Sequence, residues 1–74
     1  MRKLSDLSKG EGGVVDDIGD TGAFNRRIRD MGVVPGVHVV VEGKTLWGDP
    51  IHIRVVGGAS LVLRRQEAEK VFLK

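Results

Sequence analysis

Apolar and polar residues alternate in two stretches of the chain, a period of two that is typical of strands buried on one face. Residues 37–43 carry the apolar row Val37, Val39 and Val41, and residues 51–56 carry the row Ile51, Ile53 and Val55. Because both rows are odd-numbered, facing residues in this pair of strands should have numbers that add to an even value. We therefore expect Glu42 to face His52 or Arg54.

Three shorter segments also have the composition of strands. Residues 14–18 place Val15 and Ile18 three positions apart, so a β-bulge is needed to turn both side chains inward. Leu61 and Leu63 join the inner row when a three-residue loop, Gly57-Gly58-Ala59, precedes their strand. Residues 71–73, Val-Phe-Leu, predict a closing strand.

Helical spacing is confined to short segments. From Asp20 or Thr21 to Gly32, three apolar residues lie at i, i+4 and i+7, and we expect all three to pack inward: Phe24, Ile28 and Met31. Gly32 suits the left-handed position that ends a helix, and Pro35-Gly36 predicts a tight turn. Single helical turns are expected around Leu4 and Leu7 and over residues 65–69.

These elements predict a mainly β protein. Five short strands, with one short α-helix between the first and second strands and a helical turn before the last, describe a small SH3-like barrel. The 74 residues leave room for one domain, covering residues 1–74.

Composition narrows the classes of function. The chain has no cysteine, which excludes a disulfide framework, a zinc finger and a thiol nucleophile. No apolar run exceeds three residues and the first residues lack a signal-peptide core, so we expect a cytoplasmic protein without membrane insertion. The net charge of +2 is a small excess of basic over acidic residues. We therefore expect no nucleic-acid partner.

No motif for catalysis stands out. Gly43-Lys44-Thr45 is similar to the end of a phosphate-binding loop, but His38 occupies the position of its first glycine. Neither histidine accompanies a serine on a turn typical of a nucleophile, so we expect no enzymatic activity and no bound cofactor.

Metal ligands are sparse. The weak candidates for ferrous or another divalent ion are His38, Glu42 and His52. The predicted register separates the two histidines by about 13 Å, at about 3.4 Å per residue, which is too far for one ion. His52 and Glu42 facing each other would more commonly form a weak ion pair.

The loop between the two alternating strands contains large apolar residues, and we expect it to bind a partner protein. The candidate binding residues are Leu46, Trp47, Gly48, Asp49 and Pro50. Trp47 either covers one end of the barrel or anchors a partner. Asp49 is expected to bond the backbone of its own loop. The helix adds three candidates for docking on an acidic surface, Arg26, Arg27 and Arg29.

Three segments resemble the FeoA family, ferrous iron transport protein A. They are the stretch Leu46-Trp47-Gly48-Asp49-Pro50-Ile51-His52-Ile53, the stretch Ser60-Leu61-Val62-Leu63-Arg64-Arg65 and the helix end Met31-Gly32-Val33-Val34-Pro35-Gly36. The opening pattern of Leu4, Leu7, Gly10 and Glu11 is also similar. Two departures are Trp47, where the family commonly has leucine, and Lys9, where proline is common.

The resemblance implies an accessory of bacterial ferrous iron uptake that binds the cytoplasmic GTP-binding part of the FeoB transporter. It extends to the C-terminal SH3-like domain of iron-dependent repressors of the DtxR type. A metal-sensing module and a nucleic-acid-binding SH3-like protein are the alternatives. Outward-facing Val40, Val56 and Val62 would form a small apolar stripe for self-association, or be covered by the helix and the N-terminal turn.

Overall fold

The computed structural model describes residues 2–45 and 47–74. One antiparallel sheet joins six strands in the order β1-β6-β2-β3-β4-β5. The strands are β1 (Arg2–Lys3), β2 (Gly12–Ile18), β3 (His38–Lys44), β4 (Ile51–Val55), β5 (Ser60–Leu63) and β6 (Val71–Leu73). The helices are α1 (Ala23–Asp30) and α2 (Arg65–Ala68), and a 3-10 turn covers Leu4–Asp6. The mainly β architecture is confirmed, with the five expected strands as β2–β6 and β1 in addition.

The β-bulge expected in β2 is present. Val15 faces Leu73 of β6, but the next facing pair is Asp17 with Phe72, so the register shifts between Val15 and Asp17. Ile18 therefore packs against the same core as the fully buried Val15. The three-residue spacing of these two side chains is absorbed by one extra residue in the strand.

A second bulge lies in β3, where none was expected. Val39 faces Val55 and Val41 faces Ile53, which confirms the even register over this part of the strand pair. The register then shifts between Val41 and Gly43, so that His52 faces Gly43. Glu42 lies within this bulge instead of directly across from His52.

The β4–β5 loop has the expected length but starts one residue earlier. Leu61 faces Ile53 and Leu63 faces Ile51, so both leucines join the inner row as predicted. The loop comprises residues 56–58, since the Val55 N–H donates to the Ala59 carbonyl at 2.9 Å. Gly57, with φ at 80°, is then the third residue of the turn, where a type II turn requires positive φ.

The end of α1 differs from the expectation for Met31. The helix stops at Asp30, and Gly32 adopts the expected left-handed conformation, with φ at 95°. The Val33 N–H donates to the Ile28 carbonyl at 2.9 Å, the bond that defines a Schellman motif. Val33 is therefore 1% exposed, whereas Met31 is 40% exposed and does not pack inward.

One apolar core is enclosed by the sheet, α1 and the 3-10 turn. Every strand from β2 to β6 contributes to it, together with residues of the turns and helices: Leu4, Leu7, Val15, Ile28, Val33, Val39, Val41, Ile51, Ile53, Val55, Leu61, Leu63, Ala68, Val71 and Leu73. Ile18, Phe24 and Val37 pack at its margin. Within residues 2–45 and 47–74, no helix has the length and hydropathy needed to span a bilayer.

Candidate functional site

The loop between β3 and β4 is closed by hydrogen bonds between its own ends. The Thr45 hydroxyl donates to the Asp49 carbonyl at 2.6 Å and accepts from the Asp49 N–H at 3.0 Å. The Gly48 N–H donates to the Thr45 carbonyl at 2.9 Å, with φ at 71° for Gly48. These bonds tie Thr45, Gly48 and Asp49 to one another across the loop.

The Asp49 side chain reaches α2. Its Oδ1 accepts a hydrogen bond from the Arg65 N–H at 3.1 Å and lies 3.6 Å from the Arg64 guanidinium. The first N–H groups of a helix have no partner within the helix, and a carboxylate is well suited to accept from them. The sequence predicts a bond to the backbone of the loop itself, whereas the bond that the structure describes runs to the backbone of α2, which offers an unpaired donor.

Trp47 projects away from the barrel. Its side chain is 80% exposed, so it does not cover one end of the barrel. Gly48 and Pro50 on either side of Asp49 are half-buried. Leu46, the first of the loop residues expected to bind a partner, lies outside the described residues.

The three arginines of α1 do not form a single patch. Arg27 donates to Glu67 of α2 at 2.7 Å and lies over the Phe24 ring, 5.6 Å from its centroid. Arg29 instead lines a groove of about 220 Å³ that also contains Asp17 of β2. Arg26 is exposed on the helix surface. Arg27 is thereby linked to α2, whose first residues bond Asp49 of the β3–β4 loop.

Helix α2 provides that link. Its Glu67 accepts from the Arg64 N–H at 2.9 Å through one oxygen while the other oxygen holds Arg27. Arg64 in turn lies against Asp49 of the loop. Arg64 and Arg65 were not among the expected binding residues. In the sequence they follow Leu63 of β5 directly, and Arg64 lies three residues before Glu67. That spacing resembles a helix N-terminus, which is the signal that could have located them.

Lys44 is a second residue that the sequence did not single out for binding. Its Nζ donates to the Ser5 carbonyl at 3.1 Å and to the Leu7 carbonyl at 3.0 Å. A Cβ added at Gly48 would lie 3.4 Å from the Lys44 Cε, so this side chain also runs beside the loop. The lysine of the Gly43-Lys44-Thr45 stretch therefore binds backbone oxygens of the 3-10 turn region.

The three weak metal candidates do not meet at one site: Glu42 and His52 share a groove, and His38 lies elsewhere. Glu42 and His52 line an open groove of about 320 Å³ together with Gly43, Lys44 and Thr45. The Glu42 carboxylate accepts from the Ser60 hydroxyl at 2.9 Å and pairs with the Arg54 Nε at 3.2 Å, so it pairs with Arg54 and not with His52. His38 faces Val14, at the other end of β3. Apart from Met1 and Leu46, which are not described, the chain brings no three His, Asp or Glu residues together.

The fold and the loop define a small SH3-like β protein that displays a hydrogen-bonded aromatic loop. Comparison with protein families identifies the family: the FeoA domain matches residues 2–74, and the chain belongs to the FeoA domain family, a family of ferrous iron transport. The expected resemblance is therefore confirmed.

Related proteins agree with this assignment. A fusion of Fe(2+) transport protein A with the Fe(2+) transporter FeoB from Porphyromonas gingivalis is 32% identical over 69 residues, which are 93% of this chain and 8% of that protein. This chain thus spans a small part of that relative. The structure of Stenotrophomonas maltophilia FeoA with zinc, a prokaryotic SH3 domain protein, is 31% identical with a TM-score of 0.86, covering 100% of this chain and 91% of that one.

The fold also occurs in a repressor. A manganese-dependent transcriptional repressor in complex with manganese superposes with a TM-score of 0.86 at 20% identity, over 99% of this chain and 35% of the repressor chain. At this identity the likeness concerns the fold alone. It confirms the expected structural relationship to metal-dependent repressors.

Proposed function

We propose that this chain is an accessory protein of bacterial ferrous iron uptake that binds the cytoplasmic GTP-binding part of a FeoB-type transporter. The family membership supports the process. The fusion protein supports the partner, because a relative of this chain is covalently joined to such a transporter in one polypeptide. Binding to this part of the transporter places the chain in the cytoplasm.

The exposure of Trp47 is the observation that carries the proposal. Leaving an indole that is 80% exposed sacrifices apolar burial in a domain that has little to spare. Tryptophan is enriched among the residues that dominate binding energy at protein interfaces. The bonds between Thr45 and Asp49 fix the loop before binding, so the entropy lost on association is reduced.

The proposed role is binding and not chemistry. Across residues 2–45 and 47–74, neither histidine is hydrogen-bonded to a serine or a carboxylate, the arrangement that activates a nucleophile. Lys44, the basic residue of the phosphate-loop-like stretch, is committed to two backbone carbonyls. In this proposal the chain affects the transporter through contact.

Binding to the isolated GTP-binding domain of the FeoB-type transporter from the same organism tests the proposal. We expect Trp47→Ala to weaken binding at least about 30-fold, as truncating an interface hot spot of about 2 kcal/mol does. The indole is exposed, so the variant should unfold at the same denaturant concentration as the wild type. Val56→Ala is the matched control, since Val56 is 50% exposed and follows the opposite end of β4.

Trp47 also provides a direct spectroscopic readout, because the chain has one tryptophan. Its emission in the free protein should match that of a water-exposed indole and shift to shorter wavelength on binding a transporter domain whose own tryptophans are replaced. Equal affinities of the wild type and Trp47→Ala, or an emission maximum that stays unchanged at saturation, would contradict the proposal.

A further inference from the structure

We propose that the partner surface recognised by Trp47 is acidic: an apolar pocket for the indole, rimmed by carboxylates that pair with Arg64 and Arg65. This inference rests on the proposed function and specifies the chemistry of the partner. It also moves the basic part of the binding surface from α1 to the start of α2. We call Trp47, Arg64 and Arg65 the loop–α2 surface.

Asp49 is the contact that assembles this surface. Its Oδ1 accepts from the Arg65 N–H at 3.1 Å, which places the first residue of α2 against the β3–β4 loop two residues after Trp47. The Arg64 guanidinium lies 3.6 Å from the same oxygen, with its side chain 64% exposed. One carboxylate thus holds two arginines against the loop that carries the exposed indole.

The loop and the start of α2 carry more positive than negative side chains. Residues 44–50 together with residues 64–65 contain three basic side chains, Lys44, Arg64 and Arg65, and one acid, Asp49. The whole chain carries twelve basic and ten acidic residues, so the remainder has equal numbers of each. The entire formal excess of +2 therefore equals the charge of the segment that contains Trp47 together with the start of α2 bonded to it. A positive region around an apolar anchor favours a negative partner and accelerates encounter with it.

Two of the three arginines of α1 lie near acidic side chains. Arg27 is paired with Glu67 at 2.7 Å, and Arg29 shares its groove with Asp17. Arg65 forms no ion pair in the part of the chain that the structure describes, as is also true of Arg26 and Arg29, but its backbone N–H is bonded to Asp49 of the loop that carries Trp47. An exposed guanidinium on a fixed backbone is available to a carboxylate of the partner.

The composition of the surface favours a protein over the other anionic partners. Membrane recognition by charge uses clusters of about four to eight basic residues. Binding of single-stranded nucleic acid uses several aromatic side chains in a long basic groove. One indole on a loop that is bonded to two arginines instead resembles an interface hot spot with a charged rim, in which Trp and Arg are the enriched residues.

Charge reversal at Arg65, measured against the transporter's GTP-binding domain at low and high salt, tests the inference. The side chain of Arg65 is exposed and its hydrogen bond to Asp49 uses the backbone N–H, so Arg65→Glu leaves the loop contact in place. We expect this variant to bind at least about 10-fold more weakly than the wild type at low salt, with most of the loss in the association rate. Wild-type affinity should fall as salt rises, and that of the variant should fall less.

Arg26→Glu is the matched control, because it makes the same change of charge at an exposed helical position on α1. We expect it to stay within about twofold of the wild type, which for a distant surface charge is within 0.5 kcal/mol. If Arg26→Glu weakens binding as much as Arg65→Glu does, the loop–α2 surface is not the basic rim and the inference is wrong. Wild-type protein that fails to bind the domain at every salt concentration would instead overturn the proposed function itself.

Two further probes separate the anionic partners. The wild type should not bind vesicles of equal parts phosphatidylserine and phosphatidylcholine, nor a single-stranded oligonucleotide, at concentrations that saturate the transporter domain. Binding to either probe that is lost in Arg65→Glu would overturn the assignment to an acidic protein surface.

Discussion

Lys44 joins three parts of the chain through one side chain. Its ammonium group bonds the carbonyls of Ser5 and Leu7, its stem passes Gly48 of the loop, and its backbone belongs to β3. Both carbonyls lie where the 3-10 turn ends and lack helical partners of their own. The side chain therefore contributes to the fold at a point that also supports the Trp47 loop.

Replacing Lys44 by methionine keeps the apolar stem and removes both hydrogen bonds. We expect the free energy of unfolding to fall by about 2 kcal/mol, since hydrogen bonds from charged donors contribute about 1.5–3 kcal/mol and this one is only half-buried. Lys9→Met is the control, because Lys9 is exposed, and it should change the free energy by less than about 0.5 kcal/mol. Urea denaturation measures both, and equal midpoints for the two variants would refute this role for Lys44.

Long-range polar contacts such as those of Lys44 and Asp49 could not be predicted from the sequence. The lysine bonds residues 37 and 39 positions away, and Asp49 reaches an N–H group 16 positions away. Hydrophobic periodicity reports which face of a strand or helix is buried, and it contains no information on which distant backbone group a polar side chain meets. The loop was predicted to bind a partner because of its large apolar residues. The position of Arg64 and Arg65 next to the loop depends on the contact with Asp49, which the sequence does not reveal.

At the scale of elements, the end of α1 decides which apolar side chains reach the core. The Schellman motif reverses the chain at Gly32, so the next inward residue after Ile28 is Val33. The i, i+4, i+7 spacing predicts that Phe24, Ile28 and Met31 lie on one face of the helix. The helix ends at Asp30, one residue before Met31. Met31 is consequently at the surface.

Substitutions at Ile28 and Met31 test whether the first side chain is buried in the core and the second is at the surface. Ile28→Val removes one buried methylene, and we expect a loss of about 1 kcal/mol in the free energy of unfolding. Met31→Ala removes a much larger side chain, yet it should cost less than about 0.5 kcal/mol because that side chain is exposed. Thermal or urea unfolding compares the two variants, and a Met31→Ala loss larger than that of Ile28→Val would contradict the observed helix end.

Elements with a strong apolar pattern were predicted well, and those without one were not. Strands β2 to β6 each contain at least one fully or nearly buried aliphatic residue, and each was predicted near its observed position. Strand β1 consists of Arg2 and Lys3, which are both exposed, so no hydrophobic signal marks it. Strand β1 forms because it pairs with β6, a tertiary contact between the two ends of the chain that local sequence does not report.

At the scale of the whole molecule, β6 occupies an interior place in the sheet although it comes last in the chain. It lies between β1 and β2, facing Arg2 and Lys3 on one side and Val15 to Ile18 on the other. Both of its neighbours thus come from the N-terminal quarter. By contrast, β3, β4 and β5 pair in chain order through short connections.

This arrangement has a consequence for the kinetics of folding. Pairing β6 requires the closure of nearly the whole chain as one loop, whereas the β3–β4–β5 meander closes short loops, so the meander should form first. Ile53→Val in β4 should then mainly slow folding, with a φ-value above about 0.5, and Val71→Ala in β6 should mainly accelerate unfolding, with a φ-value below about 0.3. Stopped-flow chevron plots give both values, and the reverse order would mean that the two ends of the chain meet before the meander is built.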